Sequence, residues 1–174
     1  MDLKEFLNRP AASLARRTGR VLVVDDSKTT RNIVTKLLDS IGISDVLDRE
    51  SASDAFEILQ QQRIGLVIAD VEMLPISGLD LLKAIRANPR TSKIPVLLMT
   101  ASYDPRHLSK AKALGAAGYL LKPFSADKLS KAIQVVYSQP LANLPDNDPG
   151  HGSAIPETGA TEMVERWSEK KQNF

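Results

Sequence analysis

Apolar residues along the chain gather into short runs that alternate with stretches of helical spacing. VLVV at 21–24 is a β-branched run, and residues 28–40 repeat apolar positions at helix spacing before Gly42. SDVLDRE at 44–50 predicts a strand, and 53–62 a helix capped by Ser53. LVIA at 66–69 predicts a buried strand, and GLDLLKAIRA at 78–87 sets Leu79, Leu82 and Ile85 on one helical face. PVLLM at 95–99 and YLL at 119–121 are the remaining strands. The helices after them span 105–114, with Pro105 in the first turn, and 125–137, capped by Ser125. Five strand–helix units thus fall within 19–138. Strands apolar at nearly every position are covered on both faces, and strands alternating with helices pair in parallel. Right-handed crossovers then leave few topologies. The expectation is an α/β fold: a five-stranded parallel sheet, doubly wound as (βα)5, in the order 2-1-3-4-5. A ligand crevice is expected at the carboxyl ends of strands one and three.

Outside this alternation the pattern changes. Residues 1–18 read as an N-terminal leader, where Leu3, Phe6 and Leu7 stand at helix spacing ahead of Pro10 and the solvated pair Arg16–Arg17. Residues 139–174 read as a flexible linker and tail. Four prolines fall between Gln139 and Gly159, followed by ATEMVERWSEKKQ. Met163, Val164 and Trp167 can share one helical face there, as a docking peptide or as a surface helix on the chain's own domain.

Composition then narrows the chemistry. The net charge is +2, divided as +2 for residues 1–19, +3 for 20–138 and −3 for 139–174. None of these segments carries the basic footprint of a nucleic-acid binder. No apolar run approaches the eighteen or so residues of a membrane span, and the start MDLKEFLNRP lacks the apolar core of a signal peptide. The expected location is the cytoplasm. There are no cysteines, and His107 and His151 are far apart. Thiolate chemistry, cysteine-held metals and His-based triads are therefore set aside.

The residues that close the strands carry the functional signal. Strand one ends in Asp25-Asp26, strand three in Asp70, strand four in Thr100 and strand five in Lys122-Pro123. In a parallel sheet these ends share one edge. Each has an ordinary alternative: a helix cap for the aspartates, packing for Thr100, solvation for Lys122. Their coincidence at one crevice does not. Three carboxylates against one ammonium repel one another, and an all-oxygen site with no Cys or His suits Mg²⁺, Mn²⁺ or Ca²⁺. A carboxylate beside such an ion can act as a nucleophile toward phosphorus. Asp70, alone on the central strand, is the natural acceptor, and it leaves Asp25 and Asp26 for the metal.

VLVVDDS, LVIADVEM, PVLLMTA and GAAGYLLKPF together resemble the receiver domain of two-component response regulators, of the CheY-like chemotaxis type, over about residues 19–138. The resemblance implies that Asp70 is the phosphoacceptor and that Asp25 and Asp26 hold Mg²⁺, or Mn²⁺ in its place. Glu72 would add its backbone carbonyl to the metal. It implies that Thr100 and Lys122 contact the phosphoryl group, that Pro123 follows a cis bond, and that Tyr119 turns inward with Thr100 as a switch. A histidine kinase would be the donor. A downstream protein would bind the fourth helix, fifth strand and fifth helix of the alternation (105–114, 119–121 and 125–137). One position departs from the pattern: Leu74 stands where a proline is usual, and Pro75 follows it. An altered loop conformation is expected there. Glu72 and Ser102 occupy positions that tune phosphoryl loss in the family. The expected function is a single-domain switch rather than an enzyme, beyond its own phosphotransfer and autodephosphorylation. Two alternatives are a diffusible receiver of another pathway that uses its end segments, and a metal-dependent aspartyl-phosphate phosphatase. The latter lacks a D-x-D signature, since Val71-Glu72 follow Asp70.

Overall fold

A computed structural model describes residues 11–138. Its elements are α1 (Ala11–Thr18), β1 (Val21–Val24), α2 (Lys28–Ser40), β2 (Val46–Arg49), α3 (Ala52–Gln61), β3 (Leu66–Asp70), α4 (Gly78–Ala87), β4 (Val96–Thr100), α5 (Pro105–Ala113), β5 (Gly118–Leu121) and α6 (Ala126–Ser138). The five strands form one sheet in the order β2-β1-β3-β4-β5, and every pairing is parallel. This is the expected doubly wound arrangement.

Side chains alternate across the sheet, so the buried strands feed two separate cores. Leu22, Val24, Val67, Ala69, Val96 and Leu98 face α3 and α4, meeting Ala55, Phe56, Leu82 and Ile85. Val21, Val23, Leu66, Ile68, Leu97 and Met99 face the other way, toward Val34 and Leu38 of α2 and Leu129 and Ile133 of α6. β1, β3 and β4 are buried at every residue. The flanking strands β2 and β5 are only partly covered, as sheet edges are.

Several boundaries shift by a residue or two from the sequence expectation. The cap of α3 is Ser51 rather than Ser53: the Ser51 side chain accepts the Asp54 N–H at 3.1 Å, and Ser53 lies within the first turn. Both serines fit the spacing; the turn out of β2 decides between them. Leu3, Phe6 and Leu7 of the leader lie outside the described residues, and α1 spans Ala11–Thr18. Leu14 of α1 is buried in the core shared with α2 and α6. Arg16 and Arg17 are exposed, yet Arg17 also donates from its guanidinium to the Tyr137 carbonyl on α6. The MVERW stripe lies outside the described residues.

Candidate functional site: an acidic crevice at the carboxyl edge

The parallel sheet brings the strand ends to one edge. Asp25 and Asp26 leave β1, Asp70 ends β3 beside it, and Lys122 follows β5 across β4. Carboxylate oxygens of Asp25, Asp26 and Asp70 all lie within 4.8 Å of one another. Lys122 Nζ donates to Asp25 Oδ2 at 3.1 Å and lies 3.1 Å from Asp70 Oδ1. The second contact is an ion pair without hydrogen-bond alignment, so Asp70 Oδ1 is buried and accepts no hydrogen bond among the described residues.

Burial orders the three acids. Asp25 and Asp70 are 1% and 4% exposed, whereas Asp26 is open to solvent. Burial pushes the Asp70 carboxyl up. Lys122 opposes that shift, the nearby Asp25 charge adds to it, and a backbone hydrogen bond from Glu72 opposes it; the result lies above the ordinary carboxylate value. Burial pulls the Lys122 ammonium the other way, but Asp25 and Asp70 together outweigh it and leave its pKa raised. The site therefore carries an uncompensated negative charge that disfavours full ionisation. Its donors are hard oxygens, one of them buried and unsatisfied. That combination suits a hard divalent cation.

Backbone geometry holds these groups in place. The Asp25 carboxylate accepts the Ser27 N–H at 2.8 Å, while the Ser27 side chain caps α2. Arg31 donates to the Asp25 carbonyl at 2.8 Å and pairs with Asp48 at 2.6 Å. Sequence reasoning missed Arg31. An arginine on an amphipathic helix reads as solvated, and only the β1–β2 pairing reveals its buried use. Gly78 belongs to the same frame: a Cβ there would lie 2.1 Å from the Asp70 carbonyl oxygen. The loop 71–77 leaves Asp70 and returns to it, closed by a hydrogen bond from the Gly78 N–H to the Val71 carbonyl at 3.1 Å.

The remaining expected residues surround this centre. Thr100 is fully buried, and its hydroxyl donates to the Ser102 carbonyl at 3.0 Å. Ser102 Oγ donates to Glu72 Oε1 at 3.0 Å, joining the loops after β3 and β4. Tyr119 packs partly buried against the α3–α4 core, and its hydroxyl is buried without a hydrogen-bond partner among the described residues. The Lys122–Pro123 bond is cis. The Leu74–Pro75 bond is cis too, and Leu74 is 79% exposed at the tip of its loop.

The chain matches the response regulator receiver domain family over residues 21–134. The chemotaxis protein CheY of Pseudomonas aeruginosa is 31% identical over 120 residues, which span 69% of this chain and 97% of that protein. The probable chemotaxis protein CheY of Rhizobium etli is 33% identical over 118 residues, 68% of this chain and 92% of its own length. Among solved structures, chemotaxis protein CheY4 of Vibrio cholerae superposes with a TM-score of 0.64 at 33% identity, covering 68% of this chain and 98% of its own. A response regulator receiver protein of Pseudomonas putida gives 0.61 at 35% identity, covering 68% and 95%. Receiver domains are signalling proteins rather than classical enzymes, and no described helix is long and apolar enough to cross a membrane. Family match, topology and site agree: the chain belongs to the response regulator receiver domains of two-component signalling.

Proposed function

We propose that the protein is a phosphorylation switch in which Asp70 takes a phosphoryl group from a histidine kinase. The observation that carries this reading is the convergence of Asp25, Asp26 and Asp70 within 4.8 Å, with Lys122 Nζ 3.1 Å from both buried carboxylates. Asp25, Asp26, Asp70 and the backbone carbonyl of Glu72 would hold Mg²⁺, with Mn²⁺ as a substitute, which when bound supplies positive charge against the phosphoryl oxygens. An Asp70 carboxylate oxygen attacks phosphorus in line, and the bond to the donor breaks with its electron pair leaving on the donor. Lys122 stabilises charge on the transferred group. The Thr100 hydroxyl exchanges its bond to the Ser102 carbonyl for one to a phosphoryl oxygen. That exchange frees the loop after β4, and Tyr119, whose hydroxyl has no hydrogen-bond partner among the described residues, moves with Thr100. The face built from α5, β5 and α6 then changes its population of partner-binding conformations.

The relatives' names favour a chemotaxis kinase and its target as partners. One observation favours a pathway that uses the ends instead: relatives covered over 92% or more of their length leave about a third of this chain unmatched. Both versions keep the same cytoplasmic switch, with neither nucleic acid nor membrane insertion in its action.

Intact mass after treatment with acetyl phosphate and Mg²⁺ tests the reading. The wild type gains one phosphoryl group, Asp70→Asn gains none, and EDTA abolishes the gain. Labelling of Asp70→Asn to the same extent as wild type would overturn Asp70 as the acceptor. Multiple turnover of a phosphomonoester would favour the phosphatase instead.

A further inference from the structure

Asp25 and Asp26 are neighbours in the chain, and on an extended strand neighbouring side chains point to opposite faces. Their carboxylate oxygens nevertheless lie within 4.8 Å of one another and of Asp70. The peptide group that joins the two residues is where this convergence is set. β1 and its pairing with β2 and β3 end at Val24, and the chain bends at Asp26. On the near side the sheet still holds Asp25, whose N–H donates to the Arg49 carbonyl at 3.2 Å. The Asp25 carbonyl, one residue beyond the last strand pair, takes its hydrogen bond from α2 instead. Arg31 Nη1 donates to it at 2.8 Å in a buried contact. One turn of α2 thus grips Asp25 twice, through the Ser27 N–H at its carboxylate and through Arg31 at its carbonyl. Arg31 is oriented in turn from a third element, because its Nε pairs with the half-exposed Asp48 of β2 at 2.6 Å. The planar guanidinium carries its donors in fixed directions, so that pair also aims Nη1 at the Asp25 carbonyl.

By charge alone Arg31 works against a cation. A guanidinium behind an acidic cluster repels the ion that the cluster would hold, and a neutral side chain there would favour binding. Asp48 neutralises that charge, and the remaining contact goes to a backbone carbonyl. The use of Arg31 is therefore geometric. Without it the buried Asp25 carbonyl loses its donor, a state the chain relieves by turning the Asp25–Asp26 peptide toward water. The two carboxylates turn with that peptide. We propose that Arg31 is a positioning residue for the divalent cation: by holding the Asp25 carbonyl it fixes the Asp25–Asp26 peptide, and so sets the affinity of the acidic cluster for Mg²⁺. This rests on the metal-holding role proposed for Asp25 and Asp26. Geometry and charge predict opposite signs. If position governs, a neutral residue at 31 weakens ion binding; if charge governs, it tightens it.

Mn²⁺ titrated into the full-length protein, with no phosphoryl donor present, is the probe, and the EPR signal of the free aqua ion reads the unbound fraction. Arg31→Met is expected to raise the dissociation constant about tenfold. Arg31→Lys keeps the cation but not the planar fork, and is expected to weaken binding in the same direction by a smaller factor. Tyr137→Phe, which removes a hydrogen bond to Gly65 at the opposite edge of the sheet, leaves the affinity unchanged. Circular dichroism establishes folding, and should Arg31→Met fail to fold, Arg31→Lys decides the matter. Labelling by acetyl phosphate supplies a second readout. Half-maximal labelling of Arg31→Met needs more Mg²⁺ by the same factor, while the rate at saturating Mg²⁺ returns to within about twofold of wild type. Unchanged or tighter Mn²⁺ binding in the folded Arg31 variants overturns the proposal, as does an equal loss in Tyr137→Phe. A labelling rate that stays low at saturating Mg²⁺ also overturns it, since Arg31 then supports more than the placing of the ion. Wild-type protein that binds no Mn²⁺ removes the metal site itself, an outcome distinct from a wild type that binds and variants that match it.

Discussion

At the scale of single residues, the site depends on close approaches that only particular side chains allow. The missing side chain of Gly78 lets α4 begin against the Asp70 carbonyl; a methyl group there would meet backbone at 2.1 Å. Gly78→Ala is expected to cost about 1–3 kcal/mol through overpacking. By displacing Asp70, it should also slow labelling by acetyl phosphate on the order of tenfold or more. Urea unfolding and the mass assay read the two effects separately. Tyr137 makes a second such point. Its hydroxyl donates to the Gly65 carbonyl at 2.7 Å, and burial, only partly offset by Arg17, pushes the phenol up to about 12. An acid whose folded pKa is raised contributes stability that is full below the unfolded value, about 10. That stability drains away as pH rises from there through about 12. Two pKa units correspond to about 2–3 kcal/mol. Tyr137→Phe is expected to lose about 1 kcal/mol at neutral pH, from the unpaired carbonyl, and to flatten the alkaline decline. A decline between pH 10 and 12 as steep as the wild type's would refute this account.

At the scale of elements, helix starts set the loops that carry function. α4 opens with a reciprocal cap: the Ser77 side chain accepts the Asp80 N–H at 3.2 Å, and the Asp80 carboxylate accepts the Ser77 N–H at 3.3 Å. This cap closes the loop that begins at Asp70. Ser77→Ala is expected to lower stability by about 1 kcal/mol and the melting temperature by about 4 °C, with labelling of Asp70 retained. Boundaries at this scale were the least legible part of the sequence. Ser51 and Ser53 both fit a cap, and the exit from β2 chose Ser51. α1 is held to the domain by Leu14, which is buried in the core beside α2 and α6.

At the scale of the whole molecule, the raised Asp70 and Lys122 values describe one imbalance of charge. With Asp70 raised, the metal-free fold holds its proton more tightly than the unfolded chain does. Stability therefore falls as pH climbs above the ordinary carboxylate value. A divalent cation reverses that cost. Mg²⁺ at a hundred times its dissociation constant is expected to add about 2.7 kcal/mol, seen as a melting temperature that rises with MgCl₂ and returns with EDTA. Asp26→Asn, at the exposed member of the cluster, should fold normally and lose most of the rise. An undiminished rise in that variant would place the ion elsewhere.

The sequence by itself determined the sheet and the composition of its active edge. Nearly all-apolar strands alternating with helices imply a parallel sheet covered on both faces, and right-handed crossovers then leave few strand orders, of which 2-1-3-4-5 is the common one. Parallel strands end on one edge, so Asp25, Asp26, Asp70, Thr100 and Lys122 could be grouped without coordinates. Tertiary structure alone decided what needs distances rather than periodicity. Arg31 is recruited to the back of Asp25, Glu72 is joined to Ser102, and Gly78 is pressed against Asp70. The reason is physical. Hydrophobic periodicity records which face of an element is buried, while contacts between polar groups far apart in the chain arise only once the buried faces have packed.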